Sequence, residues 1–327
     1  QKLAVEYLFK IWPRIPLSSV ELMEMMDGKQ GLHDQMTETV DGRIAILKQL
    51  GLSDELASQF VERLEKGNSA ERGLVMNYFW VQGAGLSDDK ESKLKADKLN
   101  AWLRSHDQLF VPAFEAASHD ENESIRMFAL LSLVGIDLTF PPKTIQLLTK
   151  VVESDPSALV RMASIDMLSS NEFLPKLKEL ESELKPLLIK TLAADSEFEV
   201  RLSAIRVLSK FESASELVHT TVLDWARSQD KSQVEYALTF VRYASGRPQS
   251  IAELNELLSD PQWGMNLKLI SPSQVLARRH AITILGELAP QSQEAIAALE
   301  AEVARNNPET VSDATKVLER MKKSSEP

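Results

Sequence analysis

Side chains that commonly do chemistry are present in this chain, but their spacing matches no known catalytic motif. There is no Gly-rich phosphate loop, no H-E-x-x-H and no G-x-S-x-G. The absence of cysteine excludes disulfides, thiolate metal sites and cysteine nucleophiles. The five histidines are scattered without metal-ligand spacing: His33, His106, His119, His219 and His280. The sequence therefore predicts no catalytic residue, no metal and no cofactor.

Acidic and basic residues do recur together at a fixed spacing. An Asp precedes an Arg by six residues in three places: Asp120 and Arg126, Asp155 and Arg161, Asp195 and Arg201. Apolar residues five, ten and thirteen positions after each Asp fall along one side of a helix. The Asp itself suits the helix start, where its oxygen can accept free backbone N–H groups. The Asp residues are 35 and 40 positions apart, which leaves room for two helices and their turns.

This pattern of Asp, Val-Arg, a small residue and Leu resembles the HEAT-repeat family in its bacterial form, an armadillo-type helical repeat. The resemblance implies an all-α, right-handed α-solenoid (superhelix) of antiparallel helix pairs. It also implies that the Asp and Arg residues of successive repeats pair into a structural ladder. Its members would be Asp120, Arg126, Asp155, Arg161, Asp195 and Arg201. The resemblance implies no active site.

Weaker copies of the pattern extend towards the C-terminus. Arg278 stands at the ladder spacing, but the expected Asp position is Pro272, so we expect the ladder to be interrupted there. Asp230 begins a degenerate copy with Glu235 where Arg would stand. The last helix has a charged outer face, as a capping repeat should have. We therefore expect a divergent helical region at 1–115, continuous with the solenoid, HEAT-like repeats at 116–322 and a disordered tail at 323–327.

The N-terminal segment is predicted to be helical. Residues 1–16 form an amphipathic pattern that Pro13 should end. This helix could cap the stack of repeats or lead out of a lost membrane segment. Because the chain begins at Gln1, a cleaved signal peptide, a lost anchor and a trimmed chain are all compatible with it. We expect an extracytoplasmic (periplasmic) bacterial protein, with the cytoplasm as the alternative.

Residues 260–273 interrupt the repeat pattern. Asp260-Pro261 looks like the start of a repeat's second helix, yet the helix that matches the pattern would begin twelve residues later. The inserted segment carries the apolar residues Trp263, Met265, Leu267 and Ile270. Insertions in repeat proteins often emerge on the binding face. The alternative is that these side chains fold back and fill the interface between repeats.

The second helices are also apolar on the side opposite their predicted core. One explanation is burial between neighbouring helices, and the other is a Met-rich groove on the concave face for an amphipathic helix or peptide. Under the second explanation we predict partner contacts from both regions: Met127, Phe128, Met162, Met167, Trp263, Met265 and Leu267.

Composition limits the possible partners. The net charge of −11 disfavours nucleic acid, whose binders usually carry a basic patch. No apolar run reaches the roughly 18 residues of a membrane span. We predict a non-catalytic scaffold that binds a protein or peptide through its concave face, the 260–273 loop, or both. The alternatives are a lyase or DNA glycosylase on the same scaffold, which would need Asp, Trp and Arg to converge in a cleft, and a structural module of a larger membrane-anchored protein.

Overall fold

The computed structural model describes residues 52–83, 90–136, 142–168, 177–243, 249–269, 275–289 and 292–324. Within these ranges the regular elements are helices, and β pairing is limited to one isolated bridge between Lys268 and Leu276. The prediction of an all-α chain is therefore confirmed for this part of the protein. The helix predicted at 1–16 and the position of Pro272 lie outside the described residues.

The chain divides into two compact units, Gln1–Ala204 (unit 1) and Ile205–Pro327 (unit 2). Residue 115 lies inside the helix Asp107–Ala117 of unit 1. The predicted boundary between 115 and 116 stays a prediction. The helices of unit 1 are α1 (Asp54–Lys66), α2 (Ser69–Gly83), α3 (Lys90–Ser105), α4 (Asp107–Ala117), α5 (Glu123–Ile136), α6 (Pro142–Ser154), α7 (Ala158–Leu168) and α8 (Glu181–Ala194). Helix α9 (Phe198–Leu208) spans the division between the units.

Consecutive helices of unit 1 pack as pairs, and the pairs pack in two layers. Helix α4 packs on α5 and α6 on α7, which are the two clearest hairpins. In one layer α1 contacts α4 and α6 contacts α8, and in the other α2 contacts α5 and α5 contacts α7. Helix α3 lies against α2 and α5. This arrangement places the repeated Asp residues at the turns that lead into α5, α7 and α9.

Local sequence explains where these helices begin. Ser53 accepts a hydrogen bond from the Leu56 N–H (3.2 Å) and so caps α1. At the repeated turns the Asp side chain accepts the N–H two residues later, at 2.9 Å for Asp120 and 2.8 Å for Asp155. Each Asp therefore orders the turn before its helix and leaves its second carboxylate oxygen available for another donor.

The core of unit 1 contains an aromatic cluster where α1, α2 and α4 meet. Phe79 makes edge-to-face contacts with Phe60, Phe110 and Phe114, with ring centroids 5.2–5.6 Å apart. Tyr78 is fully buried beside them, and burial raises the pKa of its hydroxyl well above the ordinary value. Such rings bury large apolar areas and prefer edge-to-face geometry, so this cluster holds the N-terminal helices onto the first repeated pair.

Unit 2 consists of helix pairs of the same kind. Its helices are a 3-10 turn at Glu212–Ala214, then α10 (Ser215–Ala226), α11 (Lys231–Tyr243), α12 (Gln249–Ser259), α13 (Ala277–Leu288), α14 (Gln293–Ala304) and α15 (Val311–Ser324). Helices α10, α12 and α14 contact one another in order, as do α11, α13 and α15. Gly286 permits close packing of α13 on α15, because a Cβ there would lie 2.2 Å from Val317 Cγ1.

Candidate functional site

The Arg–Asp pairs of unit 1 link one helix pair to the next. Arg126 donates to both carboxylate oxygens of Asp155 at 2.8 Å, and Arg161 does the same to Asp195. Arg72 on α2 is paired with Asp120. Each contact therefore runs from an Arg to the Asp of the following turn, and the bidentate geometry fixes the orientation of both groups.

Each Arg also binds the turn at the start of its own helix. The Nη1 groups of Arg126 and Arg161 donate to the Asp120 and Asp155 carbonyls at 2.9 Å. Arg201 donates to the Asp195 carbonyl at 2.7 Å. Arg126 and Arg161 therefore tie their own turns to the next one, and Arg201 binds the turn of its own helix. These hydrogen bonds have a structural role.

The electrostatics of these pairs agree with a structural role. Burial raises the pKa of Asp195, but hydrogen bonds from Arg161 and from the Glu197 N–H outweigh it, and the net pKa is lowered. The hydrogen bond to Asp155 raises the pKa of Arg126. The lowered pKa makes the Asp195 carboxylate a weaker base than a free one, and the raised pKa keeps the charge on Arg126.

The most buried basic side chain described in unit 2 belongs to Arg278 on α13, at 1% exposure. All five of its N–H donors are engaged. Nε and Nη2 donate to the two oxygens of Glu302 at 2.9 and 2.6 Å. The remaining donors bind the carbonyls of Leu258 (2.7 Å), Asp260 (2.6 Å) and Trp263 (3.2 Å). This guanidinium therefore joins α12, the inserted segment, α13 and α14 at one point.

Glu302 is the acid of this cluster. Burial raises its pKa. The opposing effects are larger, namely hydrogen bonds from Arg278 and Thr310, the charge of Arg278 and a hydrogen bond from Arg305, and they bring the pKa down to about 2. The Thr310 hydroxyl donates at 2.7 Å and Arg305 Nη1 at 2.7 Å. A perturbed carboxylate can mark a functional site. Here it marks an ion pair closed to solvent, because both side chains are only 1% exposed.

The inserted segment packs against unit 2. Trp263 is buried, and its indole N–H donates to the Ala226 carbonyl at 2.8 Å. Met265 and Leu267 are half-buried; Asn307 Nδ2 lies 3.9 Å from the Met265 sulfur, and the Leu267 carbonyl accepts the Ala277 N–H at 2.8 Å. The placement of Trp263 favours the alternative in which the insertion folds back, and contact of these residues with a partner stays a prediction.

Asp260, Trp263 and Arg278 do converge, as the enzymatic alternative requires, but their arrangement offers no reactive group. Arg278 touches the backbone carbonyls of the other two residues, and its N–H groups are saturated. The Asp260 carboxylate accepts the Gln262 N–H at 2.9 Å, in the same manner as the Asp residues of unit 1. The contacts among these three residues are therefore those of a folded turn.

Two Ser-His pairs resemble part of a nucleophilic site at first sight. Ser105 Oγ lies 2.9 Å from His106 Nδ1, and His106 Nε2 lies 3.2 Å from Asp54. However, Ser105 Oγ donates to the Trp102 carbonyl, and His106 Nδ1 lies 2.9 Å from that carbonyl and can bind it only as a donor. The imidazole nitrogen therefore cannot take the serine proton. Ser118 and His119 repeat the same helix-end arrangement around the Glu115 carbonyl.

The predicted partner contacts on α5 and α7 separate into two sets. Phe128 and Met167 are buried inside unit 1. Met127 and Met162 are half-buried and occupy the same position, one residue after the ladder Arg, on neighbouring helices. Leu131, at 36% exposure, is one of three large apolar side chains that are exposed within the described ranges. Leu159, one turn before Met162, is half-buried.

We call these four residues the apolar patch: Met127, Leu131, Leu159 and Met162. They follow helical spacing on α5 (i, i+4) and on α7 (i, i+3), so each pair lies on one helix face. The two helices that carry them pack against each other. Leu131 is the exposed member of the patch, and Met127 also packs against the hydrophobic core of unit 1.

Three features of these sites have no clear signal in the sequence. The pairing of Arg72 with Asp120 is one, although Arg72 lies at helical spacing from apolar residues. The repeat spacing predicts the missing Asp at position 272, which is Pro, whereas the carbonyl that Arg278 binds belongs to Asp260. The partner Glu302 carried no signal, because it lies at the end of α14 and not at a repeat turn.

Within the described ranges, no three His, Asp or Glu side chains are grouped so that they could hold a metal ion. Over the same residues, no helix combines the length and apolarity that crossing a bilayer requires. Comparison of the sequence with protein-family models gives no match, and neither does comparison with curated proteins.

Proposed function

We propose that this chain is an α-solenoid of HEAT-like repeats, right-handed in its superhelix, that acts as a non-catalytic scaffold for a protein or peptide. The observation that carries the proposal is the recurrent link from Arg to the Asp of the next turn, made by Arg126 with Asp155 and by Arg161 with Asp195. A repeated link between helix pairs supports an extended stack, and stacks of this kind present long surfaces to partners.

The outward face of α5 and α7 is the part of this scaffold best suited to binding. Its apolar patch is partly exposed, whereas Trp263 in the inserted segment is buried and hydrogen-bonded. Partly exposed Met and Leu side chains provide an adaptable contact surface. We therefore place the partner on the α5–α7 face and give the inserted segment a structural role within unit 2.

No observation favours the lyase or glycosylase alternative. The group that could bind a phosphate or polarise a substrate, Arg278, has all of its donors occupied by protein oxygens. A structural module of a larger membrane-anchored protein is compatible with the same scaffold and needs no additional feature of the described residues.

The test is affinity capture from a native lysate with the full chain as bait, comparing three variants at matched concentration. Leu131→Ser and Met162→Ser should each reduce capture of the specific partner. Leu109→Ser is the control, because Leu109 is 44% exposed on α4, outside the apolar patch. Equal capture by all three variants would remove the α5–α7 face from the proposal. Absence of any salt-resistant protein partner would contradict the scaffold function itself.

A further inference from the structure

We infer that Arg201 on α9 is a binding site for the carboxylate of an acidic side chain on another molecule. This inference goes beyond the proposed function, since it concerns a separate position and does not depend on the apolar patch. It rests on a comparison of Arg201 with the two preceding arginines of the same repeat series, Arg126 and Arg161.

Arg201 is held by its own turn in the same way as the earlier arginines. Its Nη1 donates to the carbonyls of Asp195 at 2.7 Å and Ser196 at 3.2 Å. Arg161 makes the same two contacts with the carbonyls at the corresponding positions of its turn, at 2.9 and 3.4 Å. The Arg201 guanidinium is therefore anchored in the manner that the other repeats use.

The other edge of this guanidinium differs from that of its counterparts. In Arg126 and Arg161, Nε and Nη2 donate to the two oxygens of the Asp in the next turn, and all four distances are 2.8 Å. Among the described residues, the hydrogen bonds of Arg201 are those to its own turn, and its Nε and Nη2 have no acceptor. We call these two N–H groups the outer edge of Arg201. The residue is half-buried and so retains contact with solvent.

A carboxylate is the ligand that the outer edge matches. A planar guanidinium presents two parallel N–H groups that fit both oxygens of a carboxylate. The chain itself uses the carboxylate of an Asp side chain at the equivalent edges of Arg126 and Arg161. Glu197 and Glu199 are exposed in the same segment, so a dianion such as phosphate would meet stronger repulsion than a single carboxylate. The site therefore favours the side chain of an Asp or a Glu.

The arginine is also ordered before any ligand binds. Besides the hydrogen bonds to its turn, Arg201 Cζ lies 5.3 Å from the centroid of the Phe198 ring, and this contact further restricts the guanidinium. Ordering a flexible side chain opposes binding, and a group that is held beforehand avoids most of this cost. Because salt screens a partly exposed charge, we expect the contact to be weak by itself and to act as one of several contacts with a partner.

The experiment follows the Nε–H signals of the arginines by NMR in the isotope-labelled full chain. The Arg201 signal is assigned as the one lost in Arg201→Lys. The probe is N-acetyl-aspartate N-methylamide, and the neutral control is N-acetyl-asparagine N-methylamide, both at constant ionic strength. We expect the Asp probe to shift the Arg201 signal along a saturable curve with a Kd on the order of 10 mM. The signals of Arg126 and Arg161 should not shift, because their edges are occupied.

Variants of α9 then locate the binding. Arg201→Lys keeps the charge but loses the paired N–H groups. It should weaken binding of the Asp probe at least about fivefold, as measured on the backbone N–H signals of residues 195–197. Arg206→Lys is the matched control, because Arg206 is an exposed arginine on the same helix outside the repeat position, and it should bind like the parent protein. Far-UV circular dichroism and the melting temperature establish that each variant is folded.

Several results would overturn the inference. The first is the absence of a saturable shift, or an equal shift of the Arg201 signal by the Asp and Asn probes. The second is equal binding of the Asp probe by Arg201→Lys and Arg206→Lys. The third is a loss of stability in Arg201→Gln as large as in Arg161→Gln, which would mean that a carboxylate of the chain already occupies the outer edge in solution. None of them affects the dependence of lysate capture on Leu131, which tests the proposed function separately.

Discussion

The same arginine position is used differently in the two units of this protein. In unit 1, Arg126 and Arg161 reach the Asp of the next turn, and their side chains keep 10% and 13% of their exposure. In unit 2, Arg278 is 1% exposed and reaches Glu302, which lies at the end of α14. The equivalent turn residue there is Asn307, which is neutral and accepts the Glu309 N–H at 2.9 Å.

The carboxylate that neutralises the arginine therefore stands at a different position in unit 2, but it has the same structural role. Asn307 still orders its turn but cannot neutralise an arginine, so the carboxylate comes from Glu302, one turn earlier in the structure. The cost of burying this pair is offset by saturating the arginine with five hydrogen bonds. Ion pairs that are closed to solvent respond strongly to the loss of one partner, and pairs to which water has more access respond less.

The largest expected effect comes from Arg278→Met. Removal of the guanidinium takes two hydrogen bonds from the buried Glu302 and one from each of three carbonyls, which should cost about 3–5 kcal/mol of unfolding free energy. Chemical denaturation followed by circular dichroism measures the loss, and hydrogen exchange assigns it to unit 2. The double variant Arg278→Met, Glu302→Met should recover most of the stability. A double variant as unstable as the single one would contradict the ion pair as the cause.

Acidification should lower the stability that Glu302 contributes to unit 2. The pKa of Glu302 is lowered from its usual 4.5 to about 2 in the folded protein. The unfolded chain therefore takes up this proton first as pH falls. The stabilisation is complete above pH 4.5 and is lost between about 4.5 and 2, a change of roughly 3 kcal/mol. In Glu302→Gln, which is less stable at neutral pH, this part of the pH dependence should disappear; an unchanged acid profile would show that other carboxylates dominate.

Gly264→Ala tests the turn at which the inserted segment contacts Arg278. Gly264 has φ +70°, and a Cβ there would lie 2.7 Å from the backbone nitrogen of Arg278. We expect a loss of about 1–3 kcal/mol from strain and displacement. Gly73→Ala in α2 is the control, because nothing lies within 4 Å of its Cβ position, and it should gain up to about 1 kcal/mol from helix propensity. Thermal denaturation compares the two.

Arg161→Met provides the corresponding test in unit 1. The side chains of Arg161 and Asp195 are 13% and 9% exposed, against 1% for both side chains of the Arg278 pair, so water has more access to the carboxylate after the arginine is removed. We expect a loss of about 1–2 kcal/mol, clearly below that for Arg278→Met. The contrast is measured under identical denaturation conditions. An equal loss at both positions would mean that burial does not distinguish the two pairs.

The smallest effect on stability is expected at the apolar patch. Leu131→Ser should lower the unfolding free energy by about 1 kcal/mol, because Leu131 is 36% exposed and the rest of its surface is buried. Its partner binding should nevertheless fall, unlike that of the Arg161→Met variant. A large loss of stability in Leu131→Ser would instead indicate that Leu131 is part of the core of unit 1.

Much of the local structure could be predicted from the sequence. Helical periodicity identified the second helices α5, α7 and α9, and the Asp residues lie at the turns before them, because an Asp side chain can satisfy nearby N–H groups whatever the rest of the fold does. The absence of catalytic motifs is likewise a property of the sequence. These features depend on residues within one or two turns of each other, so the pattern alone is sufficient to determine them.

Which of the predicted partner contacts are accessible to solvent depends on the tertiary structure. Met127 and Phe128 are adjacent in sequence, yet Phe128 is buried and Met127 is only partly buried, because the positions of the neighbouring helices determine which one is covered. The twelve-residue insertion returns Arg278 to Asp260, a contact that counting along the chain cannot find. Glu302 is brought to Arg278 by the packing of helices in unit 2. Such contacts join residues that are distant in sequence, and their partners are set by how whole helices pack.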